Sequence, residues 1–386
     1  MKTTVFVFTV LSLAFAPAVV AAPLEVDVVG AGAQKLAVSI NVGSPAFTTS
    51  LRRNLERSGL FVIKPDASVK VTGTPAGGVT VLGAGKSLSA PPVAGDDAAV
   101  RMAARRLADA MCEAYGNQKG FACDPIAFVK HVGKDNSEIC ETYPDGLDIR
   151  QLTAGGHAVV GPRWKDRHTL FYTNFRSGPQ IWEVDTVSGK PKLRWSFKGV
   201  ATGAVVSPDG ARAAIILSFQ GNPELYTIEL ASGVWTRLTK TPNASEGCPS
   251  WSPDGREIVY VSDETRHPQL YVINVATKAV RRLTSRGSQN VDPDWGKDGR
   301  ITYVTKQRDG AHVAVLSPAE GDKTARFVTA AGNWEHPSWS RDGRNLVASC
   351  DKALYVVDTL VVGEQLNAPI RLFTADGRWI EPCWSK

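Results

Sequence analysis

Trp251-Ser252-Pro253-Asp254-Gly255 reads as the end of one strand and the tight turn into the next. Pro presets φ in such a turn, and Gly accepts the positive φ that closes it. The phrase recurs as Trp295-Gly-Lys-Asp-Gly299 and Trp339-Ser-Arg-Asp-Gly343, and as the variant Val206-Ser-Pro-Asp-Gly210. Trp164-Lys-Asp166 is a degraded copy without the Gly, and Trp384-Ser-Lys386 is a copy cut off by the chain end. Successive anchors, from Trp164 through Val206 to Trp384, are spaced by 42, 45, 44, 44 and 45 residues. A period of about 40–50 residues is the length of one four-stranded propeller blade.

The contents of one period agree. After the turn at Gly255, Glu257-Ile-Val-Tyr-Val-Ser262 is a strand, Leu270-Tyr-Val-Ile-Asn274 a third, and Val280-Arg-Arg-Leu-Thr284 a fourth. Each is short, β-branched or aromatic, and bounded by turn residues. Second strands of such units start at Ile126, Thr169, Ala211, Glu257, Arg300 and Asn345, which gives six blades. The first unit lacks a preceding Trp anchor, and the last anchor, Trp384, lacks following strands. The two defects cancel if residues 124–154 supply three strands of a blade and residues 379–384 supply its innermost one. Such closure removes free sheet edges. An open β-sandwich array would not explain complementary gaps at both ends. The expectation is a six-bladed β-propeller over residues 121–386, ending at ring closure.

Residues 22–120 do not fit the repeat. Leu36, Val38, Ile40 and Val42 alternate as a half-buried strand. Ser44-Pro45 is an N-cap with Pro at the first helical position, Phe47, Leu51 and Leu55 follow at helical spacing, and Gly59 stands where the chain leaves the helix. Residues 60–63 form a strand, and Val69/Val71 with Val79/Val81 form a hairpin across Gly77-Gly78. Asp96 and Asp97 open a second helix with Val100, Ala103, Leu107 and Met111 on one face, ended by Gly116. Residues 89–95 read as a loop. The order βαβββα predicts a small α+β domain.

The 386 residues are 43% hydrophobic and 21% charged, ordinary for a soluble globular protein. The net charge of +6 is spread without a Lys/Arg block, so nucleic acid is not an expected partner. Lys2, an apolar run over residues 5–15 and small residues before Ala22 read as a signal peptide over residues 1–21, cleaved after Ala21. The apolar run is too short to span a bilayer.

Catalytic patterns are absent. There is no Gly-x-Ser-x-Gly elbow. Gly83-Ala-Gly-Lys86 lacks the first glycine of a phosphate loop, since that position is Thr80, and reads as a hairpin turn. Six cysteines in an exported chain permit disulfides, and six allow fifteen pairings. Cys112 and Cys123, close in sequence beside a domain boundary, are the preferred pair. Cys140, Cys248, Cys350 and Cys383 stay unassigned. No Cys or His spacing suggests zinc, and neither a metal nor a cofactor is expected. His336, before Pro337 and Trp339, is read as a rim or core histidine near the propeller mouth.

One constellation points to binding. The residues leading into the innermost strands lie near one face and around the ring axis. They include Glu246, Gly247, Asn290, Asp292, Trp334, Glu335, His336, Trp379 and Glu381. Four acids there predict an electronegative channel. Two readings stay open: a docking face for a protein partner, and solvated loop acids without a ligand. Trp residues among charges fit an interface centre or blade packing equally.

Pro249-Ser-Trp251-Ser-Pro-Asp-Gly255, Gln269-Leu-Tyr-Val-Ile-Asn274, Gly287-Ser-Gln-Asn290 and Ala375-Asp-Gly377 leading to Pro382-x-Trp384, with the preceding α+β domain, resemble the TolB family. That family is the periplasmic β-propeller component of the Tol–Pal system of Gram-negative bacteria. The resemblance implies a periplasmic, non-enzymatic adaptor. It implies a Pal-like peptidoglycan-associated lipoprotein docked on the propeller face, through the nine residues named above by position. It also implies a TolA-like protein bound through residues 22–35, a monomer held at the outer membrane only through its partner, and a role in envelope integrity and cell division. The alternative is an enzyme or sensor that binds a small ligand or Ca²⁺ at the ring axis.

Overall fold

A computed structural model describes residues 35–218, 221–360, 369–374 and 377–386. The expected signal peptide and all but the last residue of the 22–35 segment lie outside the described residues. No helix among the described residues is long and apolar enough to cross a membrane.

The chain enters a five-stranded sheet. Its elements are β1 (Leu36–Val42), α1 (Pro45–Arg57), β2 (Phe61–Ile63), β3 (Val69–Thr74), β4 (Gly78–Gly83), β5 (Lys86–Ala90) and α2 (Asp97–Gly116). The strand order is β2-β1-β3-β4-β5. β1 runs parallel to both neighbours, and β3, β4 and β5 form an antiparallel meander. Period-2 alternation sends Val69, Val71, Val79 and Val81 into one face while Lys70 and Thr72 stay in solvent. That face packs on Phe47, Leu51 and Leu55 of α1 and on Ala104, Leu107 and Met111 of α2.

Both helix starts follow their caps. Ser44 Oγ accepts the N–H of Phe47 at 3.3 Å, and Asp96 Oδ1 accepts that of Ala99 at 3.0 Å. α1 leaves its axis at Gly59, φ +72°. α2 ends at Gly116, as expected, and Asn117 after it is left-handed, φ +48°. One local expectation needs correction. Ser89 and Ala90, expected in a loop, pair with Thr80 and Val79, so the order is βαββββα. β5 was hidden because, of its five residues, Leu88 is the one large apolar side chain packed on the core.

Six four-stranded blades follow. Their innermost strands are Trp379–Trp384, Val159–Trp164, Ala201–Val206, Glu246–Trp251, Gln289–Trp295 and Trp334–Trp339, for blades one to six. All run the same way down the axis, so the ring has an open face where they begin and a turn face where the Asp-Gly turns lie. At Gly255, φ +68°, the turn is held by Asp254 Oδ1, which accepts from Ser252 Oγ at 2.6 Å and from the N–H of Arg256 at 3.1 Å. The same Ser–Asp bond closes the turns at Ser207 and Ser340. The anchors Trp251, Trp295, Trp339 and Trp384 are buried between blades.

Trp379–Trp384 pairs antiparallel with Ile126–His131, so the first blade is built from both ends of the ring. Trp384 is buried edge-on against Phe121 at 5.2 Å and donates from Nε1 to the carbonyl of Asp124 at 3.1 Å.

The helices rest on the turn face of blades one and six through polar contacts that no sequence pattern announced. Arg105, 1% exposed, grips Asp145, 0% exposed, through two hydrogen bonds of 2.9 and 3.0 Å. Asp145 also accepts from Ser50 Oγ at 2.6 Å, and Asp148 binds both Arg105 and Arg101. Arg57 Nη2 donates to the carbonyl of Leu372 at 3.1 Å.

All six cysteines are free, which corrects the expected Cys112–Cys123 bond. Cys112 points into the N-terminal core, while Cys123 lies beside Asp109, which accepts its backbone N–H at 3.2 Å. Burial pushes the Cys112 thiol up to about 12 and that of Cys140 to about 11, so neither is a ready nucleophile.

Candidate functional site

Each innermost strand carries a bulge at the same level of the ring. The residue there is left-handed: Gly161 (φ +63°), Gly203 (+70°), Cys248 (+47°), Asp292 (+51°), His336 (+49°) and Glu381 (+51°). The ladder to the second strand skips at each bulge. In five of the six, Pro follows (Pro162, Pro249, Pro293, Pro337 and Pro382) and cannot donate to that ladder. Glycine adopts this conformation freely, whereas a side chain costs about 1–2 kcal/mol. Four residues therefore hold strained conformations around one channel.

The strain is partly offset by contacts between blades. Glu381 Oε2 accepts the N–H of Gly161 at 2.5 Å, and Asp292 Oδ2 accepts that of His336 at 3.1 Å. One level nearer the turn face, the N–H groups of Trp295, Trp339 and Trp384 donate to Ser250, Asp294 and Ser338 at 2.9, 2.8 and 3.1 Å. These belts join blade one to two, four to five, five to six and six to one.

The nine expected site residues divide. Asp292, His336 and Glu381 are on the channel wall, with His336 Nε2 3.8 Å from Asp292 Oδ2. Glu335 is exposed and Gly247 is half-buried with open space above it. The other four are packed away, which corrects the picture of acids and Trp rings converging on the axis. Asn290 is buried and donates to Gln269 Oε1 and the Arg286 carbonyl, both at 2.7 Å. Trp334 donates to the Ala330 carbonyl at 3.0 Å and packs on Tyr355; Trp379 packs on Phe373 at 4.5 Å. Glu246 is buried, accepting from Thr241 Oγ1 at 2.7 Å and Ser262 Oγ at 3.3 Å. Burial, opposed by those hydroxyls and reinforced by Glu224 and Glu264, pushes its carboxyl up to about 7.

The channel is also less acidic than expected, because Arg163 stands in it. Enclosure by the ring works against its charge, but Cys383, Asp294, Cys248 and Glu381 outweigh this and hold the guanidinium above its ordinary value. No group of three His, Cys, Asp or Glu among the described residues is placed to hold a metal ion.

Sequence reasoning missed three exposed apolar residues on the open face: Val132, Phe175 and Val200, each 42–50% exposed. Val132 and Phe175 directly follow second strands, and Val200 precedes an innermost strand. That position relative to the repeat was the signal available. On the turn face, the channel widens into a cavity of about 720 Å³.

A family model described as the TolB beta propeller domain matches residues 113–386. A Tol-Pal system protein TolB from Anaeromyxobacter sp. is 30% identical over 158 residues, covering 40% of this chain and 36% of that protein. One from Helicobacter pylori is 24% identical over 229 residues, covering 58% and 55%. Of the curated relatives from Anaeromyxobacter sp. and Gluconobacter oxydans, the match spans about a third of their length. The crystal structure of TolB from Acinetobacter baumannii superposes with a TM-score of 0.78 at 21% identity, over 92% of this chain and 98% of that one, a likeness of fold.

Proposed function

The chain belongs to the TolB β-propeller family, a Tol–Pal system protein, and we propose that it acts there as a non-enzymatic periplasmic adaptor. Its open face docks a Pal-like lipoprotein, and residues 22–35 engage a TolA-like protein. The protein works as a monomer, reaches the outer membrane only through its partner, and supports envelope integrity and division. Residues 1–21 are its export signal.

One observation carries the docking reading. The α+β domain packs on the turn face, and the opposite face bears Val132, Phe175, Val200 and Glu335, spread over several blades around the channel mouth. Apolar residues rimmed by polar ones mark interaction sites. The strained residues beneath, Asp292, His336 and Glu381, fit a preorganised floor. A cation on the axis, the other reading, would share the channel with Arg163.

The test is capture of a Pal-like lipoprotein from solubilised envelopes, followed by titration with Phe175→Glu and Glu335→Lys. Loss of an interface anchor costs at least about 1–2 kcal/mol, or roughly tenfold in affinity. No capture, or unchanged affinity in both variants, refutes this face as the docking site.

A further inference from the structure

The cavity on the turn face is unlike the open face in its charge. Six cationic side chains line it: Arg163, Lys165, Arg167, Lys297, Arg341 and Lys386. Three are matched: Lys386 Nζ lies 2.6 Å from Asp294, Arg341 Nε 3.1 Å from Asp124, and Lys165 Nζ 3.6 Å from Glu183. Among the described residues, no carboxylate lies within 4.0 Å of the side-chain nitrogens of Arg163, Arg167 or Lys297.

The four aspartates in the wall are already engaged. Asp294 holds Lys386 and the N–H of Trp339, Asp124 holds Arg341, Asp292 holds the N–H of His336, and Asp166 holds that of His168. The field is felt locally. Burial, then the nearby Arg341 and Lys386 charges, lowers the Lys297 ammonium below its ordinary value. Burial also pushes the Asp124 carboxyl up to about 6 in spite of Arg341. Between the cations the walls are apolar, formed by Pro249, Pro293, Pro337 and the Trp251 and Trp295 rings. A volume of about 720 Å³ falls within the range of small-molecule sites, about 300–1,000 Å³. A concave site with an excess of cations, six against four aspartates, concentrates anions.

We propose that this cavity binds a small polyanion, a molecule with two or more carboxylate or phosphate groups, held by Arg163 at the channel end and by Arg167 and Lys297 at the rim. The two planar guanidinium groups suit bidentate capture of either oxyanion, and the ammonium serves as a point charge. The cavity opens on the turn face and shares Asp292 and His336 with the floor of the open face, but the variants that test it leave Phe175 and Glu335 untouched.

The experiment is calorimetry on the mature protein with citrate and with pyrophosphate as probes, at ionic strength matched with NaCl, and with acetate as a monoanion control. The expected result is saturable one-to-one binding of citrate or pyrophosphate, with acetate far weaker. Loss of one charge-assisted contact is worth about 1.5–3 kcal/mol, so Arg163→Met and Lys297→Gln each weaken binding roughly tenfold or more. Asp124→Asn, which removes a buried negative charge from the wall, tightens it. Lys297→Gln alters an exposed side chain, so it remains informative if Arg163→Met fails to fold. Absence of saturable binding by either probe, or affinity indifferent to Lys297→Gln and Asp124→Asn, overturns the proposal.

Discussion

Replacing Asp145 by Ala should uncouple the two domains. The carboxylate is completely buried and is shared by Arg105, Ser50 and Asn54 of the helices, at 2.9, 2.6 and 3.5 Å. Removing one partner of a buried pair costs about 3–5 kcal/mol, because the remaining charge stays desolvated. Arg105 keeps its 2.7 Å contact with the partly exposed Asp148, which places the expected cost near the low end, about 3 kcal/mol. The protein supplies its own two reporters. All ten Trp residues follow position 120, whereas the two long helices precede it, so Trp fluorescence reads the propeller and helical circular dichroism reads the α+β domain. In urea the native protein should show coincident transitions. With an m-value of about 1–3 kcal/mol/M for a small domain, the dichroism midpoint of Asp145→Ala should fall about 1–3 M below that of fluorescence. A double variant with Arg105→Leu should recover much of the loss, since it removes the orphaned charge. Coincident and unshifted transitions in Asp145→Ala would refute the idea that this pair joins the domains.

Three further outcomes follow from the same contacts. Trp384→Ala should destabilise the propeller by about 3–5 kcal/mol, and deletion of residues 379–386 should abolish its cooperative melting; a truncated protein with a normal Tm would contradict closure by that strand. The Glu246 carboxyl is raised from 4.5 to about 7, so the folded protein holds that proton more tightly than the unfolded chain, and stability falls as pH climbs through this window before levelling off. Glu246→Gln should flatten that slope and gain on the order of 2 kcal/mol at pH 8, and a denaturation series whose slope matches the parent's would count against it. Finally, a thiol reagent at pH 8 should titrate six cysteines in denaturant but leave Cys112 and Cys140 unreacted in the folded protein; fewer than six thiols in denaturant would reveal a disulfide.

The ring was legible because each blade repeats a local chemical solution. Trp251, Trp295 and Trp339 fill equivalent spaces between blades, and the Asp-Gly turns obey short-range rules. The closing strand was legible as two complementary gaps. The site was read only in part. Asp292, His336 and Glu381 were found, but as loop acids and a rim histidine rather than as strained bulges. The sequence did hold the clue: Pro162, Pro249, Pro293, Pro337 and Pro382 each stand two residues before an anchor Trp. Glu246, Asn290, Trp334 and Trp379 were misjudged because strand register, which fixes the side a residue faces, depends on the bulge beyond them. Arg105 and Asp145 left no trace at all, since a pair separated by 40 residues follows no local pattern.

Closure by residues 379–384 also sets an order of events during synthesis. The hydrogen bond from Trp384 to Asp124 joins positions 260 residues apart, so it cannot form until almost the whole ring has been made. Until then, Ile126–His131 presents an unsatisfied edge to any strand nearby. A loop of that span delays its own rewards, and slow assembly of distant strands is the usual exposure to misassociation. The nascent protein therefore passes through a long window as an incomplete arc, and whatever shields that one edge governs how much of it matures.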